Sequence, residues 1–570
     1  PRTSTGSCPK AVEAPITRTC RTTVGAALAL GALAVTGPAA GRVSGGRDRL
    51  ATYVAARAAD AAGDPATAAQ LFAALVREAP GETLIRRRGI AGAIEAGDVA
   101  LALRLAKPIA VDQTPLDLRL LLVAEQLRNG KEARALEILR TRGGVIDASF
   151  LSPFVEAWAR ADKRDPVSAD SIGQVPDTSA LAPLRDEHRA LILLKLKRPA
   201  EAVPLAELAL ASAGGRADRL RLAFADGFAR AGDKANAAKM LDGGGSALTD
   251  AKARLAAGKS IGQAIDTPSK AYAEMLLGLS LALSKMEDKS LPIRLAQIAR
   301  YSNPSNGAGT VLLALLLDAD NRQSGSLALL RGIPSSDPFA DRAEDAEVRI
   351  LNATGRGDEA LARAQAFVTA RPSADSFSRL GGALAERELY PQAADAYAQA
   401  LAMTATQAGS DEPWALHLFR ASALESANRW EEAKAEMAIA MKLSPDNPLL
   451  LNFLGYGQLE RGENLDAAEA MVRQASALRP DDASITDSLG WAQQKRGRTD
   501  EAIATLQRAV NGDPAQAEIH EHLGDALYTA GRRIEARFAW RAALVTAEEK
   551  AKKRLEAKLA TGLTSANASP

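Results

Sequence analysis

Apolar segments rich in Ala and Leu, each laced with charged residues, follow one another from about residue 50 onwards. Several of them are separated by a glycine–aspartate pair, at Gly63-Asp64, Gly97-Asp98, Gly232-Asp233 and Gly357-Asp358. Glycine favours the left-handed exit from one helix, and aspartate caps the start of the next. No strand-like alternation of useful length occurs. The pattern therefore predicts a succession of helical hairpins.

Three columns of residues recur together in the C-terminal third at intervals of 35 and 34 residues, which indicates an internal repeat. The columns are the Leu-Gly pairs ending in Gly455, Gly490 and Gly524, the alanines Ala433, Ala468, Ala502 and Ala536, and the prolines Pro445, Pro480 and Pro514. Upstream, the Leu-Gly pair ending in Gly381 fits the same frame. A glycine inside a helix costs about 1 kcal/mol relative to alanine, so its recurrence indicates a packing constraint. The alanines allow the same close helix crossing, and the prolines end the second helix of each unit.

This frame resembles the tetratricopeptide repeat, a helix-turn-helix unit of 34 residues. The resemblance is strongest in residues 372–547 and is degenerate upstream. Two departures are an extra residue near Glu463-Asn464 and the replacement of the Leu-Gly pair by Arg420-Ala421. The resemblance implies an all-α fold, an α-solenoid of stacked helix-turn-helix repeats. The chain is similar to bacterial multi-repeat proteins of envelope assembly, secretion or export, but this similarity is an analogy at the level of fold.

Four segments are predicted along the chain. Residues 1–40 form a leader in which Arg18 and Arg21 precede the apolar run Val24 to Val35, the pattern of a signal peptide. Residues 48–345 form a degenerate array, and residues 346–547 form an array of tetratricopeptide type. Residues 548–570 are predicted to be a charged capping helix and a disordered tail. We therefore expect an exported protein, in the periplasm or on the envelope; the alternative is a cytoplasmic regulatory module.

Composition and chemistry narrow the function further. The formal net charge is +2, and no long basic stripe precedes the tail, so nucleic acid is not expected as a partner. Both cysteines lie in the leader, and His520 and His522 are two residues apart, unlike a zinc pair on one helix face. We predict no metal, no cofactor and no catalytic residues. Membrane association is expected only through the N-terminal segment.

The first helices of the C-terminal repeats carry the candidate binding residues. Side chains four residues apart share a helix side, and three consecutive first helices align them into one strip. The strip comprises Asn452, Tyr456, Asp487, Trp491, Glu521, Asp525 and Tyr528. Aromatic and acidic side chains on one groove suit a peptide with basic and apolar residues. Residues 372–545 hold 17 basic and 25 acidic side chains, which agrees with this preference.

Two alternatives stay open. The Tyr456 and Trp491 side chains could pack between adjacent repeats and leave the binding surface unassigned. An enzyme with a diffuse site in the degenerate array is the second, but no motif names its residues. The sequence therefore predicts a protein-binding scaffold whose ligand is a protein or peptide.

Overall fold

A computed structural model describes residues 44–143, 147–176, 181–243, 246–404 and 414–569. The predicted leader, residues 1–40, lies outside the described residues. The chain divides into two compact units, and the division falls between Phe367 and Val368. The predicted boundary at residues 345 and 346 falls within the helix Ala340–Ala353, and the division at Phe367 falls within the helix Gly357–Ala370.

The first unit is a succession of helix pairs, with every helix of the described part between 6 and 18 residues long. Its helices are α1 (Ser44–Ala61), α2 (Pro65–Glu78), α3 (Thr83–Glu95), α4 (Val99–Ala106), α5 (Leu116–Arg128), α6 (Glu132–Arg140), α7 (Ser152–Asp162), α8 (Ser168–Gly173), α9 (Ala182–Lys195), α10 (Pro199–Ser212), α11 (Ala217–Arg230), α12 (Lys234–Leu241), α13 (Thr249–Ala256), α14 (Pro268–Leu283), α15 (Ser290–Ser302), α16 (Gly307–Ala319), α17 (Gln323–Arg331), α18 (Ala340–Ala353) and α19 (Gly357–Ala370).

The second unit continues the pairs and ends in a single additional helix. Its helices are α20 (Ala374–Ala385), α21 (Tyr390–Thr404), α22 (Trp414–Ser426), α23 (Trp430–Leu443), α24 (Pro448–Arg461), α25 (Leu465–Leu478), α26 (Ala483–Lys495), α27 (Thr499–Gly512), α28 (Ala517–Thr529), α29 (Arg533–Thr546) and α30 (Glu549–Thr561). The described residues contain helices and connecting turns but no strand, which confirms the predicted all-α solenoid class.

The turns within the pairs follow the glycine–aspartate signal. Gly63 has a φ of 72°, and the Asp64 side chain accepts a hydrogen bond from the Thr67 amide at the start of α2. The pairs at residues 97–98 and 232–233 repeat this geometry. The fourth predicted pair is wrong by two residues, because Gly355 holds the left-handed φ of 76° and Gly357 already lies in α19.

The recurrent glycines mark the crossing of the two helices in each pair. A Cβ added at Gly490 would lie 2.6 Å from the Leu506 Cγ, and one at Gly524 would lie 2.3 Å from the Trp540 ring. Gly381 and Gly455 are equally tight, against a tyrosine ring and against helix backbone respectively. The four alanines of the second column are each fully buried. The four glycines thus lie at close contacts with the second helix of their pair, and the four alanines are buried.

Late helices of the first unit pack back onto its early helices. Helix α15 contacts α3 and α5, and α14 contacts α5, α7 and α9. The Arg294 Nη1 lies 2.6 Å from the Glu95 Oε1, and the Gln297 Nε2 donates to the Glu95 carbonyl at 2.9 Å. The buried Tyr272 hydroxyl donates to the Leu120 carbonyl at 3.2 Å. We call this contact of α14 and α15 with α3, α5, α7 and α9 the seam.

Among the described residues, no helix combines the length and the apolar character needed to cross a membrane.

Candidate partner-binding surfaces

The predicted strip of the second unit lies on α24, α26 and α28, the first helices of three consecutive pairs. Their direct neighbours are one another, since α24 contacts α26 and α26 contacts α28. Asn452, Tyr456 and Tyr528 are half-buried, whereas Asp487 and Trp491 are only 5% exposed. The strip therefore follows three neighbouring helices, but four of its seven members, Asp487, Trp491, Glu521 and Asp525, are buried by neighbouring side chains.

Trp491 is packed between repeats. Its ring stacks on the His522 imidazole of the next first helix, with centroids 4.3 Å apart and planes 10° apart. Its indole N–H donates to the Glu460 carboxylate of the preceding first helix at 2.7 Å. The Lys495 ammonium lies 5.0 Å from the ring centroid. This placement matches the alternative in which the tryptophan joins adjacent repeats.

His522 is the centre of a charge network that the sequence did not reveal. Its Nδ1 lies 2.9 Å from the Asp487 Oδ2, and its side chain is fully buried. Burial lowers the pKa of His522, but Asp487, Glu518 and Asp525 outweigh burial and raise it to about 9. The imidazolium is therefore the counter-ion of the acidic strip at neutral pH. The sequence indicates only a packing or surface role for this histidine. Its charged partner, Asp487, belongs to the neighbouring repeat and is visible only in the structure.

The C-terminal part of the strip is occupied by α30. Arg554 makes two hydrogen bonds of 2.7 Å to the Glu521 carboxylate. The fully buried Lys558 ammonium bonds Glu521 at 2.6 Å and Asp525 at 2.7 Å. Burial raises the pKa of Glu521, but its bonds to Arg554 and Lys558 outweigh burial and lower it. The two carboxylates are thus neutralised by the chain itself.

The segment after α30 also packs on the second unit, in contrast to the disordered tail that the sequence predicts. The Ser569 amide and hydroxyl both donate to the Asp525 Oδ2, at 3.1 and 2.8 Å. Asn567 is buried, and its side chain bonds the chain at Gly562 and Thr564. The tail thus adds two donors to the Asp525 carboxylate, which already bonds Trp540 and Lys558.

The N-terminal part of the strip keeps unused hydrogen-bonding atoms. Within the described part of the chain, the Asn452 Oδ1, the Asp487 Oδ1 and the His522 Nε2 are buried without a hydrogen-bond partner. The Tyr456 hydroxyl lies 3.5 Å from the Glu518 carboxylate, across the intervening helix α26. Because these unpaired atoms are buried, a ligand would reach them only after neighbouring side chains moved.

A second inner surface lies in the first unit and was not predicted. A cavity of about 430 Å³ opens between the start of α11 and the first helices α14, α16 and α18. Its apolar wall consists of Leu277, Leu281, Val311, Leu312, Leu315 and Phe339. Its ionised rim consists of Arg216, Arg219, Glu274, Arg342, Asp345 and Arg349. An apolar chamber with a few oriented polar groups is the usual form of a ligand site.

Buried ion pairs hold one side of this cavity. The Arg216 guanidinium donates two hydrogen bonds of 2.9 and 2.7 Å to the Glu187 carboxylate, and Arg219 donates one of 2.9 Å to Glu274. Asn306 donates to the same Glu274 oxygen at 3.0 Å. Because these charges are paired and bonded, the guanidinium groups are fixed in place. The cavity therefore has one side of paired, hydrogen-bonded charges and one leucine-rich side.

The same region contains a histidine of opposite character to His522. His188 is fully buried, and its Nδ1 accepts a hydrogen bond of 3.0 Å from the Trp158 indole. Burial lowers the pKa of His188 to about 3, with a further contribution from Arg216. It is therefore neutral where His522 is charged. Among the described residues, no group of three or more His, Cys, Asp or Glu is arranged to hold a metal ion.

Comparisons with known proteins agree with the repeat geometry. Residues 492–531, which span α26 to α28, match the model of the TPR repeat family. No curated protein matches the sequence significantly.

The solved structures that match the chain share little sequence identity with it. One comes from a functional characterization of Pseudomonas aeruginosa pilF, with 19% identity, 33% of this chain and 82% of that chain covered, and a TM-score of 0.28. A tetratricopeptide repeat protein from Parabacteroides merdae has 12% identity, coverage of 46% and 100%, and a TM-score of 0.38. YrrB, a TPR protein with an unusual peptide-binding site, has 17% identity, coverage of 32% and 90%, and a TM-score of 0.25. The paired helices and the glycine crossings have the form of helix-turn-helix repeats, and within them residues 492–531 match the TPR repeat model.

Proposed function

We propose that this protein is a non-catalytic scaffold that binds a partner polypeptide through the cavity of its first unit. The observation that carries the proposal is the apolar chamber framed by the first helices α14, α16 and α18. First helices line the binding face in stacked-pair arrays. A chamber of about 430 Å³ accommodates one or two large apolar side chains of a partner segment.

The cavity suits an anchor better than the strip does. Leu281, Leu312 and Leu315 are half-buried, so a partner side chain can reach them without displacing a packed residue. In the strip, by contrast, the Trp491 ring is already covered by His522 and Glu460. Buried apolar anchors usually dominate the energy of an interface. We therefore assign the main contact to the cavity.

The strip is a separate and weaker contact surface of the second unit in this proposal. Its half-buried members are Asn452, Tyr456 and Tyr528, and the acidic Glu518 is exposed beside it. A basic side chain of the partner would pair with the carboxylate of Glu518. Such peripheral charges mainly change the association rate and its salt dependence.

The test of the cavity uses two leucines of the same unit. Leu312→Glu places a carboxylate in the chamber, whereas Leu208→Glu changes a leucine that is 56% exposed on α10, outside the chamber. The melting temperatures of both variants are first shown to equal that of the wild type. The three proteins are then used to capture polypeptides from an extract of the source cells. A polypeptide retained by wild type and Leu208→Glu but lost by Leu312→Glu supports the proposal. Equal capture by all three proteins argues against it.

We also propose that the protein acts in the cell envelope. The support is the sequence of the leader, in which Arg18 and Arg21 precede the apolar run from Val24 to Val35. Fractionation of the source cells and N-terminal sequencing test this part. A mature N-terminus near Gly41 in the envelope fraction is expected, and intact leader in the cytosol would count against export.

A further inference from the structure

Helix α29 turns three large apolar side chains towards solvent. Ile534 is 74% exposed, Phe538 is 63% exposed and Val545 is 82% exposed. They lie at positions i, i+4 and i+11 and so form one ridge along the helix. The opposite side of α29 packs into the core through Ala536, Trp540 and neighbouring residues. The ridge therefore plays no part in the packing of the second unit.

The equivalent positions of the two preceding repeats show what this face ordinarily carries. All of them are exposed, and all of them are acidic, small or polar. They are Asp500, Ala504 and Asn511 on α27, and Asp466, Ala470 and Ala477 on α25. Since the backbone frame is the same in the three repeats, packing does not require apolar residues here. The ridge of α29 therefore differs from the equivalent face of the other two repeats, and its exposed apolar side chains are typical of a binding surface.

A row of arginines runs beside the ridge. Arg533, Arg537 and Arg541 are exposed and spaced by four residues, so they share the adjacent side of α29. Among the described residues, Arg537 and Arg541 make no ion pair, and Arg533 lies over the Tyr528 ring at 5.6 Å. On the other flank, Glu535 is neutralised by a hydrogen bond to Arg532. The surface around the ridge is therefore net basic.

We propose that this face of α29, the ridge and its arginine row, docks on an anionic lipid surface. The charge of the arginine row complements anionic headgroups, and the ridge supplies side chains that enter the headgroup boundary. A ridge on a convex helix contacts a flat, deformable surface directly, whereas a protein partner would need an acidic apolar groove of matching length. The proposal is independent of the cavity in the first unit, and it adds a membrane contact to the one expected only from the N-terminal segment.

Co-sedimentation of the full chain with lipid vesicles tests the proposal. Wild type is mixed with phosphatidylcholine vesicles and with equimolar phosphatidylcholine–phosphatidylglycerol vesicles, at low and high ionic strength. Binding to the anionic vesicles that weakens with salt is expected. Phe538→Glu should lower the partition coefficient at least tenfold, by removing the ridge and adding a negative charge, and Arg537→Gln about fivefold.

Ala504→Glu is the matched control, because it introduces the same charge at the equivalent position of α27. It should bind the anionic vesicles as wild type does. The proposal is overturned if wild type does not sediment with anionic vesicles, or if Phe538→Glu and wild type sediment equally. Equal binding of this kind would assign membrane contact to the N-terminal segment. Absence of vesicle binding together with a purified protein partner lost by Phe538→Glu would assign the ridge to a protein interface instead.

Discussion

The two units fill the inner side of the same repeat in different ways. In the first unit, α14 and α15 form the seam with helices that lie much earlier in the sequence, and an apolar cavity remains beside α14. In the second unit, the first helices keep an acidic strip that is neutralised by His522 on one repeat and by Lys558 on α30. In the first unit, helices distant in sequence cover part of the inner surface. In the second unit, cations from the same or the next repeat and from α30 neutralise the inner surface.

This difference shows that the repeat fixes the helix pairs but not the use of their inner faces. The glycine and alanine columns act within a pair, so they leave the first helices free to carry any side chain. Where these side chains are apolar, as on α14 and α16, an open chamber results. Where they are acidic, the chain supplies its own cations. The open surface for a partner is therefore larger in the first unit.

The largest expected effect comes from removing the buried cation of the second unit. Lys558→Met leaves the Glu521 and Asp525 carboxylates without their shared partner, and breaking a buried pair costs about 3–5 kcal/mol. Lys553→Met on the same helix is exposed and should change stability by less than about 0.5 kcal/mol. Hydrogen exchange, followed separately in each unit, should show the loss in residues 499–569. Equal loss in the first unit would break the comparison.

The next effect tests whether Trp491 is structural. Because the ring is 5% exposed and stacked on His522, Trp491→Ala should cost about 3 kcal/mol. Affinity for an identified partner and melting temperature are measured on the same variant. A parallel loss of both keeps the tryptophan in the packing between repeats. Loss of affinity at unchanged melting temperature would instead restore it as a partner contact.

The glycine column gives a matched pair of smaller changes. Gly490→Ala places a Cβ 2.6 Å from Leu506 and should cost about 1–3 kcal/mol. Gly382→Ala meets only the Tyr397 hydroxyl, at 3.7 Å, and should be neutral or stabilising by up to about 1 kcal/mol. Denaturant unfolding of the two variants compares them directly. Equal stability of both would remove the assigned reason for the recurrent glycine.

The two buried histidines predict opposite pH dependence of the units. The pKa of His522 is raised from 6.5 to about 9, so its contribution is complete below pH 6.5 and is lost as pH rises through about 9. The pKa of His188 is lowered from 6.5 to about 3, so its contribution is present above pH 6.5 and is lost as pH falls towards 3. Unit-resolved hydrogen exchange across this range is the measurement, with His522→Gln and His188→Gln as controls. Parallel pH profiles in the two units would contradict the opposed shifts.

The helix pairs and their crossings were predictable because the information is local. Gly455, Gly490 and Gly524 recur in register, and each contacts the second helix of its own pair. The turn glycines were predictable for the same reason, apart from the shift from Gly357 to Gly355. Each of the three recurrent glycines contacts a residue of its own hairpin, so the recurrence of the glycine along the sequence is enough to indicate the contact.

The inner surfaces were not predictable in the same way. Helical spacing places Asp487 and Trp491 on one side of α26, but it does not show that His522 of the next repeat covers them. The network of Lys558 depends on how α30 and the tail turn back, and the cavity depends on the approach of α11 to α14. These arrangements follow from the small rotation between successive pairs, which no local pattern specifies.

The seam has a consequence for synthesis on the ribosome. Arg294 meets Glu95 across 199 residues, so helices α3 and α5 wait for α15 before their inner faces are covered. At about 5–20 residues per second, that interval lasts on the order of 10–40 s. During it, the apolar faces of the nascent chain are available to chaperones or to premature aggregation. The C-terminal repeats have no such delay, since each first helix meets its neighbour within one further repeat.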